Sequence, residues 1–280
     1  MIDPDTDTTT PVPAYALGHS DGELERLRAQ ARLIDPITHR FFRDAGIIPG
    51  MRVLDVGSGA GDVAFLAAEM VGETGEVIGV ERAAPALDVA NARADARSLR
   101  NVSFRLGDPV EMVFERPFDA IVGRYVLQFQ GDPVTMLRKL AAHVRPGGSI
   151  VFHELDWGGA RSLPSATIYD TCCRWIVETL RLLGTERNMG IKLHATFVAA
   201  GLPAPSMRLE AIIAGGVNSA VRLGLVADLV ETLSADMERL GVATATEISI
   251  ETLAERMRAE AIANGSVIVA HSEIGAWVRV

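Results

Sequence analysis

Three glycines and two acidic residues lie close together where an apolar segment ends. The segment reads VLDVGSGAGDV from Val53 to Val63. A glycine-rich turn between a strand and a helix lets a ligand approach the bare backbone closely, and such turns often bind nucleotide cofactors. Gly57, Gly59 and Gly61 depart from the dinucleotide spacing G-x-G-x-x-G, because the third glycine comes one residue early. The spacing alone therefore leaves open which cofactor binds.

The charge of Asp55 distinguishes two classes of cofactor. Asp55 stands two residues before the first glycine, at the predicted carboxyl end of a strand, where ligands bind in open α/β sheets. A pyrophosphate would meet a like charge in a poorly solvated cleft, which is unfavourable. S-adenosylmethionine carries a sulfonium and an α-ammonium group and no phosphate. The sequence therefore favours this cationic cofactor over NAD.

The elements that must position these residues alternate between strand and helix from Met51 to about Leu155. This alternation is typical of a parallel sheet with crossover helices. We predict strands at 52–56, 77–81, 102–106, 118–123 and 149–155, and helices starting near Asp62, Pro85 and Pro133. A helix opens at Ser20, before this core. After the core we predict a helix over 168–183, another ending at Gly201, a strand within 207–214, helices around 221–240 and 249–263, and one or two strands in 267–280.

Composition and charge limit the partners and the cellular location that we expect. The chain has 280 residues and a formal net charge of -9, with no cluster of lysine and arginine. An acidic protein repels a phosphate backbone, so we expect no nucleic acid as a partner. No window approaches about 18 consecutive apolar residues, so we expect no membrane span. Cys172 and Cys173 are adjacent in the sequence. Adjacent cysteines rarely form a disulfide with each other, so this pair indicates reduced thiols in a cytoplasmic protein.

Five motifs in order resemble class I S-adenosylmethionine-dependent methyltransferases that act on small molecules. VLDVGSGAG and VIGVE resemble the first two cofactor-binding motifs, and Gly107-Asp108 resembles the third. PFDAIVGRYVLQF resembles the fourth-strand motif, and LAAHVRPGGSIVFHELD resembles the helix, turn and strand that follow it. The resemblance covers the middle of the chain, roughly 110 residues.

This resemblance implies an α/β fold. It is a Rossmann-like, doubly wound, seven-stranded sheet, mostly parallel with an antiparallel last strand, plus a helical lid insertion. The segment 267–280 would supply a final hairpin. We predict a flexible leader at 1–19 and a single methyltransferase domain at 20–280, with its core at 45–157 and lid insertions at about 160–200 and 218–263.

The resemblance also assigns cofactor-binding residues. Glu81 ends the second strand at the spacing of an acid that binds ribose hydroxyls. Asp108 matches the position whose acidic side chain reaches the adenine amino group, and Pro109 after it cannot donate an amide N–H. The segment before and within the first helix closes over the cofactor in many relatives. The predicted cofactor-binding residues are Asp55, Gly57, Ser58, Gly59, Gly61, Glu81, Arg82, Asp108, Pro109, Arg124, Tyr15 and Gln30.

Residues after the fourth and fifth strands are candidates for catalysis. The Tyr125 ring would gain cation–π attraction to a sulfonium, and His153 or Glu154 could act as a general base. Alternation along a strand directs His153 and Glu154 to opposite faces of the sheet. Each of these side chains could equally be a packed or hydrogen-bonded core group. No metal-ligand cluster follows the fourth strand, so we expect no metal.

Three functions remain in competition. The first is methyl transfer to a small organic acceptor, which would be a natural product or a quinone-like metabolite of secondary metabolism. For this enzyme we expect a homodimer, the commonest closed assembly. The second is a methyltransferase-like scaffold that binds the cofactor without transferring methyl, as a cyclase or a regulatory module. The third is a nicotinamide-dependent oxidoreductase, which the charge of Asp55 disfavours.

Overall fold

The computed structural model describes the backbone of residues 21–280 and the side chains of residue 31 and residues 33–280. Helix α1, Asp21–Asp44, precedes the sheet. Five strands follow, named β1 (Arg52–Val56), β2 (Glu76–Glu81), β3 (Val102–Leu106), β4 (Phe118–Arg124) and β5 (Val144–Asp156). The helices between them are α2 (Asp62–Val71), α3 (Ala84–Ala96) and α4 (Pro133–Ala141). These elements confirm the strand and helix alternation that the sequence predicts.

The five strands form a parallel sheet in the order β3-β2-β1-β4-β5. Their carboxyl ends therefore share one edge of the sheet, which we call the ligand edge. The strand order reverses direction between β1 and β4, and this is where open α/β sheets form a ligand crevice. The glycine loop follows β1, and Tyr125 follows β4, so both lie beside this crevice.

The remaining strands are β6 (Arg161–Leu163), β7 (Ser206–Gly215) and β8 (Val267–Arg279). β8 runs antiparallel to β5, β6 and β7. β5 and the short β6 pair with different stretches of the same side of β8, while β7 pairs with its other side. Within residues 21–280 the sheet is therefore seven strands wide although it contains eight strands, and its predicted antiparallel strand is confirmed.

The predicted hairpin in 267–280 is wrong, because that segment is one continuous strand. Both of its sides are paired, to β5 from Ser272 to Arg279 and to β7 over nearly its whole length. A turn inside it would break both ladders. Gly275 marks a close approach rather than a turn, since an added Cβ there would lie 2.5 Å from Cγ of Phe41 in α1.

The helices of the second half are α5 (Thr167–Leu182), α6 (Met189–Ala199), α7 (Ala220–Arg239), α8 (Ala245–Ile248) and α9 (Ile250–Ala263). α6 packs against one face of the sheet, whereas α5, α7 and α9 pack beside the ligand edge. Side chains from α5, α7 and α9 form an apolar cluster with Leu155 and Trp157 at the end of β5 and Ile268 at the start of β8. Within the part of the chain that the structure describes, no helix is both long enough and apolar enough to cross a membrane.

Candidate active site

The glycine loop joins β1 to α2 in a conformation that favours glycine. Gly57, Gly59 and Gly61 have φ values of 66°, 51° and 92°, in the left-handed region that side chains disfavour. An added Cβ would lie 3.0 Å from Val126 at Gly57 and 2.9 Å from aromatic rings at Gly61. At Gly59 it would meet nothing within 4 Å. Packing explains two of the glycines, and the third leaves open backbone at the crevice.

Glu81 lies across from this loop at the end of β2. Its Oε2 accepts the Gly59 N–H at 3.0 Å, and its Oε1 accepts the N–H groups of Arg82 and Ala83 at 2.8 and 2.9 Å. A carboxylate offers about four acceptor positions, so these three bonds leave capacity for a hydroxyl. The bonds fix the carboxylate beside the glycine loop, where its role in ribose binding remains a prediction.

Asp55 is a buried acid without a side-chain hydrogen-bond partner among the described residues. It is 1% exposed, and neither carboxylate oxygen has a donor at full hydrogen-bond geometry. Burial raises the pKa of Asp55 well above its ordinary range, and the positive charge of Arg124, with a smaller effect of the nearby backbone N–H of Ala64, opposes this only partly. The Ser58 hydroxyl next to the loop is also buried without a partner. Buried polar groups are normally hydrogen-bonded, so these two side chains fit a site that is completed by a ligand.

Arg124 points toward α1. Its Nη1 donates to Asp35 Oδ1 at 2.8 Å and to Thr38 Oγ1 at 3.0 Å. Burial raises the pKa of Asp35, although Arg124 counteracts it. The pair ties α1 to the end of β4, close to Asp55. No sequence pattern indicated Asp35, because it lies 89 residues before Arg124.

Arg82, Asp108 and Pro109 lie together at the ends of β2 and β3. Arg82 Nη2 donates to Asp108 Oδ2 at 2.5 Å, and Asp108 Oδ1 accepts the Val110 N–H at 2.9 Å. Pro109 has no amide N–H to donate, and the amide N–H of the following residue, Val110, is already bonded to Asp108. Adenine recognition by Asp108 remains a prediction. Tyr15 and the side chain of Gln30 lie outside the described residues, as does Ser20, where the sequence predicts the first helix to open.

Tyr125 and His153 meet at a buried carboxylate that the sequence analysis did not select. Glu273 of β8 is 1% exposed, and its Oε2 lies 2.6 Å from the Tyr125 hydroxyl and 2.8 Å from His153 Nε2. Its Oε1 lies 2.9 Å from His271 Nε2. Burial and the charge of Glu273 raise the pKa of Tyr125 well above its ordinary range, so this hydroxyl stays protonated and donates.

The charge on this cluster is held by Glu273. Burial disfavours its ionisation, but the two histidines outweigh burial and bring the pKa of Glu273 well below its ordinary range. Burial lowers the pKa of both His153 and His271. Burial thus disfavours the charged form of each imidazole, whereas the cluster favours the ionised form of Glu273. His271-Ser272-Glu273 is a polar run inside an otherwise apolar strand, and this was the signal available in the sequence.

Glu154 lies on the opposite face of β5 from His153, as the alternation predicts. Its Oε1 accepts the N–H groups of Val126 and Leu127 at 2.9 and 2.7 Å. Burial raises the pKa of Glu154 to about 8, against the effect of these backbone donors. The side chain thus shapes the turn that carries Tyr125 away from β4. The roles of Glu154 and His153 as a general base, and of the Tyr125 ring near the sulfonium, remain predictions.

Comparison with known proteins identifies the family to which this chain belongs. A family model described as a methyltransferase domain matches residues 47–192, which is more than half of the chain. The chain belongs to the methyltransferase domain family. The match contains the glycine loop, Glu81, Asp108 and the β4–β5 segment, and it confirms the resemblance carried by those motifs. Within the described residues, no group of three or more His, Cys, Asp and Glu side chains is placed to hold a metal ion.

Curated relatives of this methyltransferase domain cover only part of the chain. The aklanonic acid methyltransferase of Streptomyces sp. (strain C5) is 34% identical over 138 residues, which is 49% of this chain and 62% of that protein. The 2-phytyl-1,4-naphtoquinone methyltransferase of Synechococcus elongatus is 41% identical over 101 residues, which is 35% of this chain and 43% of that protein. The chain thus spans less than two thirds of the length of the curated relatives it matches.

Solved structures share the fold over a longer stretch than the curated relatives share sequence. The YcgJ protein from Bacillus subtilis superimposes with a TM-score of 0.53 at 19% identity, covering 89% of this chain and 99% of that chain. This likeness concerns the fold alone. It confirms the Rossmann-like architecture of the methyltransferase domain, including strands and helices that follow the family match.

Proposed function

We propose that the protein transfers the methyl group of S-adenosylmethionine to a small organic acceptor by in-line displacement. The observation that carries the proposal is Asp55, a buried acid without a side-chain partner among the described residues, beside the open backbone of Gly59. A phosphate group there would make ionisation of Asp55 still less favourable, whereas a cationic cofactor would favour the ionised carboxylate and supply its missing partner. The family membership supports the same reaction.

The residues of the crevice would hold the cofactor in distinct ways. Gly57, Gly59 and Gly61 let it approach the backbone, Asp55 attracts its positive charge, and Glu81 has acceptor capacity for ribose hydroxyls. When bound, the cofactor supplies an electrophilic methyl group on a sulfonium. Tyr125 lies at the end of β4, where its ring face favours a cation.

The protein's own contribution is alignment and exclusion of water. Alignment of two reactants can be worth about 7–11 kcal/mol of the barrier. Helices α5, α7 and α9 cover the ligand edge with apolar side chains, which supports a closed, water-poor acceptor pocket. The two relatives described above are named for aklanonic acid and for 2-phytyl-1,4-naphtoquinone. We therefore propose a natural-product or quinone-like acceptor from secondary metabolism.

Two further parts of the proposal concern the protein's surroundings. Cys172 and Cys173 are both buried free thiols, and free thiols support a reducing compartment, hence a cytoplasmic location. We propose a homodimer because this is the commonest closed assembly. Size-exclusion chromatography with light scattering tests that assembly directly.

Calorimetry tests the cofactor. We expect S-adenosylhomocysteine to bind the wild-type protein and NADH not to bind. Asp55→Asn keeps the shape of the side chain and removes its charge, so it should weaken binding at least tenfold, or about 1.4 kcal/mol. The matched control is Asp88→Asn, which changes an exposed acid on α3 and should bind as the wild type does. Tight NADH binding without S-adenosylhomocysteine binding would refute the proposal.

Methyl transfer needs a separate measurement. Tritium-labelled S-adenosylmethionine is incubated with the protein and a panel of reduced naphthoquinones and aromatic polyketide acids. Extractable label in the acceptor is the expected result, and it should be lost in Asp55→Asn but kept in Asp88→Asn. A cofactor that binds tightly and is never consumed would instead identify a scaffold without transferase activity.

A further inference from the structure

Two buried N–H groups near the ligand edge have no acceptor among the residues that the structure describes. They are Nε of Arg222, in the first turn of α7, and Nε1 of Trp157, directly after β5. Arg222 is 6% exposed and Trp157 is 5% exposed. Buried donors are nearly always hydrogen-bonded, since leaving one unpaired costs about 1–3 kcal/mol. Two such donors in one region therefore point to acceptors that a ligand would supply.

Both side chains contact the same imidazole ring. Nη2 of Arg222 lies 2.7 Å from His271 Nδ1, and the Trp157 ring centroid lies 4.7 Å from that of His271. His271 is near the start of β8, which runs antiparallel to β5, and Asp156 of β5 pairs with Ser272. The three side chains therefore lie together at the carboxyl end of β5, on the ligand edge of the sheet.

A chain of hydrogen bonds connects this group to the cofactor crevice. His271 Nδ1 accepts from Arg222, so the proton of the neutral ring is on Nε2, which donates to Glu273 Oε1. Glu273 Oε2 accepts the Tyr125 hydroxyl. The next residue after Tyr125, Val126, is the one that packs against Gly57 of the glycine loop. Arg222 is thus linked through three side chains to the turn that faces the glycine loop.

The charge of Arg222 lacks a direct counterion. Among the described residues no carboxylate forms an ion pair with it, and its hydrogen-bond partner is a neutral imidazole. Glu273, the nearest carboxylate along the chain of bonds, already accepts from Tyr125, His153 and His271. A buried guanidinium without a direct counterion is unfavourable, and an anionic ligand would relieve it.

We propose that Arg222 and Trp157 bind an anionic oxygen of the methyl acceptor, so that the acceptors are phenols, enols or carboxylic acids rather than amines. This inference rests on the proposed function. A guanidinium and an indole N–H both donate to an oxygen anion, whereas a protonated amine would meet like charge. His271, held by Glu273, is a positioning residue that orients the guanidinium from its other side.

The test uses a coloured probe of the expected charge. 2-Hydroxy-1,4-naphthoquinone is an enol that is ionised at neutral pH, and 1,4-naphthoquinone and 2-amino-1,4-naphthoquinone have the same rings without that charge. Each is titrated by calorimetry and visible absorbance into protein saturated with S-adenosylhomocysteine. We expect the hydroxy compound to bind at least tenfold more tightly than the other two.

Four variants separate the contributions of the two donors. Arg222→Gln should weaken binding of the hydroxy compound about 10- to 100-fold, the range for a hydrogen bond to a charged group. Arg222→Lys keeps the charge and should retain part of that affinity. Trp157→Phe removes the N–H while an aromatic ring still packs on His271, and should weaken binding severalfold. Arg239→Gln changes an exposed arginine at the other end of α7 and should bind as the wild type does.

The outcomes distinguish this inference from the proposed function. If the wild type binds S-adenosylhomocysteine but does not discriminate the hydroxy compound from the other two, the inference is overturned and the proposed function stands. Equal affinity in Arg222→Gln and wild type also overturns it. If Arg222→Gln does not fold, Trp157→Phe decides, and unchanged affinity in that variant overturns the inference. Failure of the wild type to bind S-adenosylhomocysteine refutes the proposed function instead.

Discussion

Replacing Glu154 with Gln should remove a pH dependence from the stability of the protein. Glu154 is completely buried, and its Oε1 accepts two backbone N–H groups of the turn after β4. Burial raises its pKa from an ordinary 4.5 to about 8. A Gln side chain can accept the same two N–H groups, and it has no proton to lose.

The sign and size follow from the two pKa values. Between them the folded state keeps the Glu154 proton and the unfolded state releases it, so this group's stabilisation is fully present below 4.5 and is lost as pH rises toward 8. The slope is about 1.4 kcal/mol per pH unit, which gives a loss of about 2–3 kcal/mol between about pH 5.5 and about pH 7.5. Asp55, His153, His271 and the other titrating groups are common to both proteins and cancel in the difference.

Urea unfolding followed by tryptophan fluorescence measures this difference. At the lower pH, Glu154 is protonated and should resemble Gln, because each places a buried donor where Oε2 has no partner. At the higher pH, Glu154→Gln should gain about 2–3 kcal/mol relative to the wild type. Glu251→Gln, an exposed change on α9, should run parallel to the wild type. Parallel curves for Glu154→Gln as well would refute the raised pKa and the reasoning from burial.

Three further predictions concern the crevice. Gly59→Ala should cost about 1–2 kcal/mol of stability because of its positive φ, and it should weaken S-adenosylhomocysteine binding at least tenfold in calorimetry. Gly61→Ala should cost about 3 kcal/mol or more because its Cβ meets two aromatic rings. Equal stability losses for the two variants in urea unfolding would contradict the packing argument. Burial raises the pKa of Asp55 in the free protein, and a bound cation should lower it; at a pH between the two pKa values binding should therefore release a proton, seen as a buffer-dependent heat that Asp55→Asn lacks. Tyr125→Phe removes one donor from ionised Glu273 and should lower the free energy of unfolding by about 1.5–3 kcal/mol; an unchanged value in urea would mean that Glu273 is satisfied without it.

Local patterns predicted most of the sheet correctly. Strands β1 and β3 begin and end where the sequence placed them, because each is a short segment followed directly by a glycine turn; β1 is mostly apolar and buried, whereas β3 alternates apolar and polar residues. β5 begins five residues earlier than predicted, at Val144, since the residues of the Arg145-Pro-Gly-Gly148 turn continue the strand across a register shift opposite β4. The hairpin in 267–280 was wrong because its pairing depends on β7, about 60 residues away.

The site was predictable only where one motif carries it. The glycine loop, Asp55 and Glu81 lie together as the motif spacing predicts. Arg124 was expected at the cofactor, yet its hydrogen-bond partners Asp35 and Thr38 are on α1. The cluster around Glu273 escaped prediction because the residue lies 148 positions after Tyr125 and 120 after His153. Such contacts depend on the packing of distant elements and leave no periodic pattern in the sequence.

The position of β8 has a consequence for how the chain is synthesised. β8 follows the other seven strands in chain order, yet it lies between β5 and β7 and supplies Glu273 and His271. During synthesis, the edges of β5 and β7 that pair with β8 therefore remain unpaired until β8 has left the exit tunnel of the ribosome. Unpaired edges of this kind expose nascent chains to aggregation. Chaperone demand during translation should consequently concentrate in the interval between the emergence of β7 and that of β8.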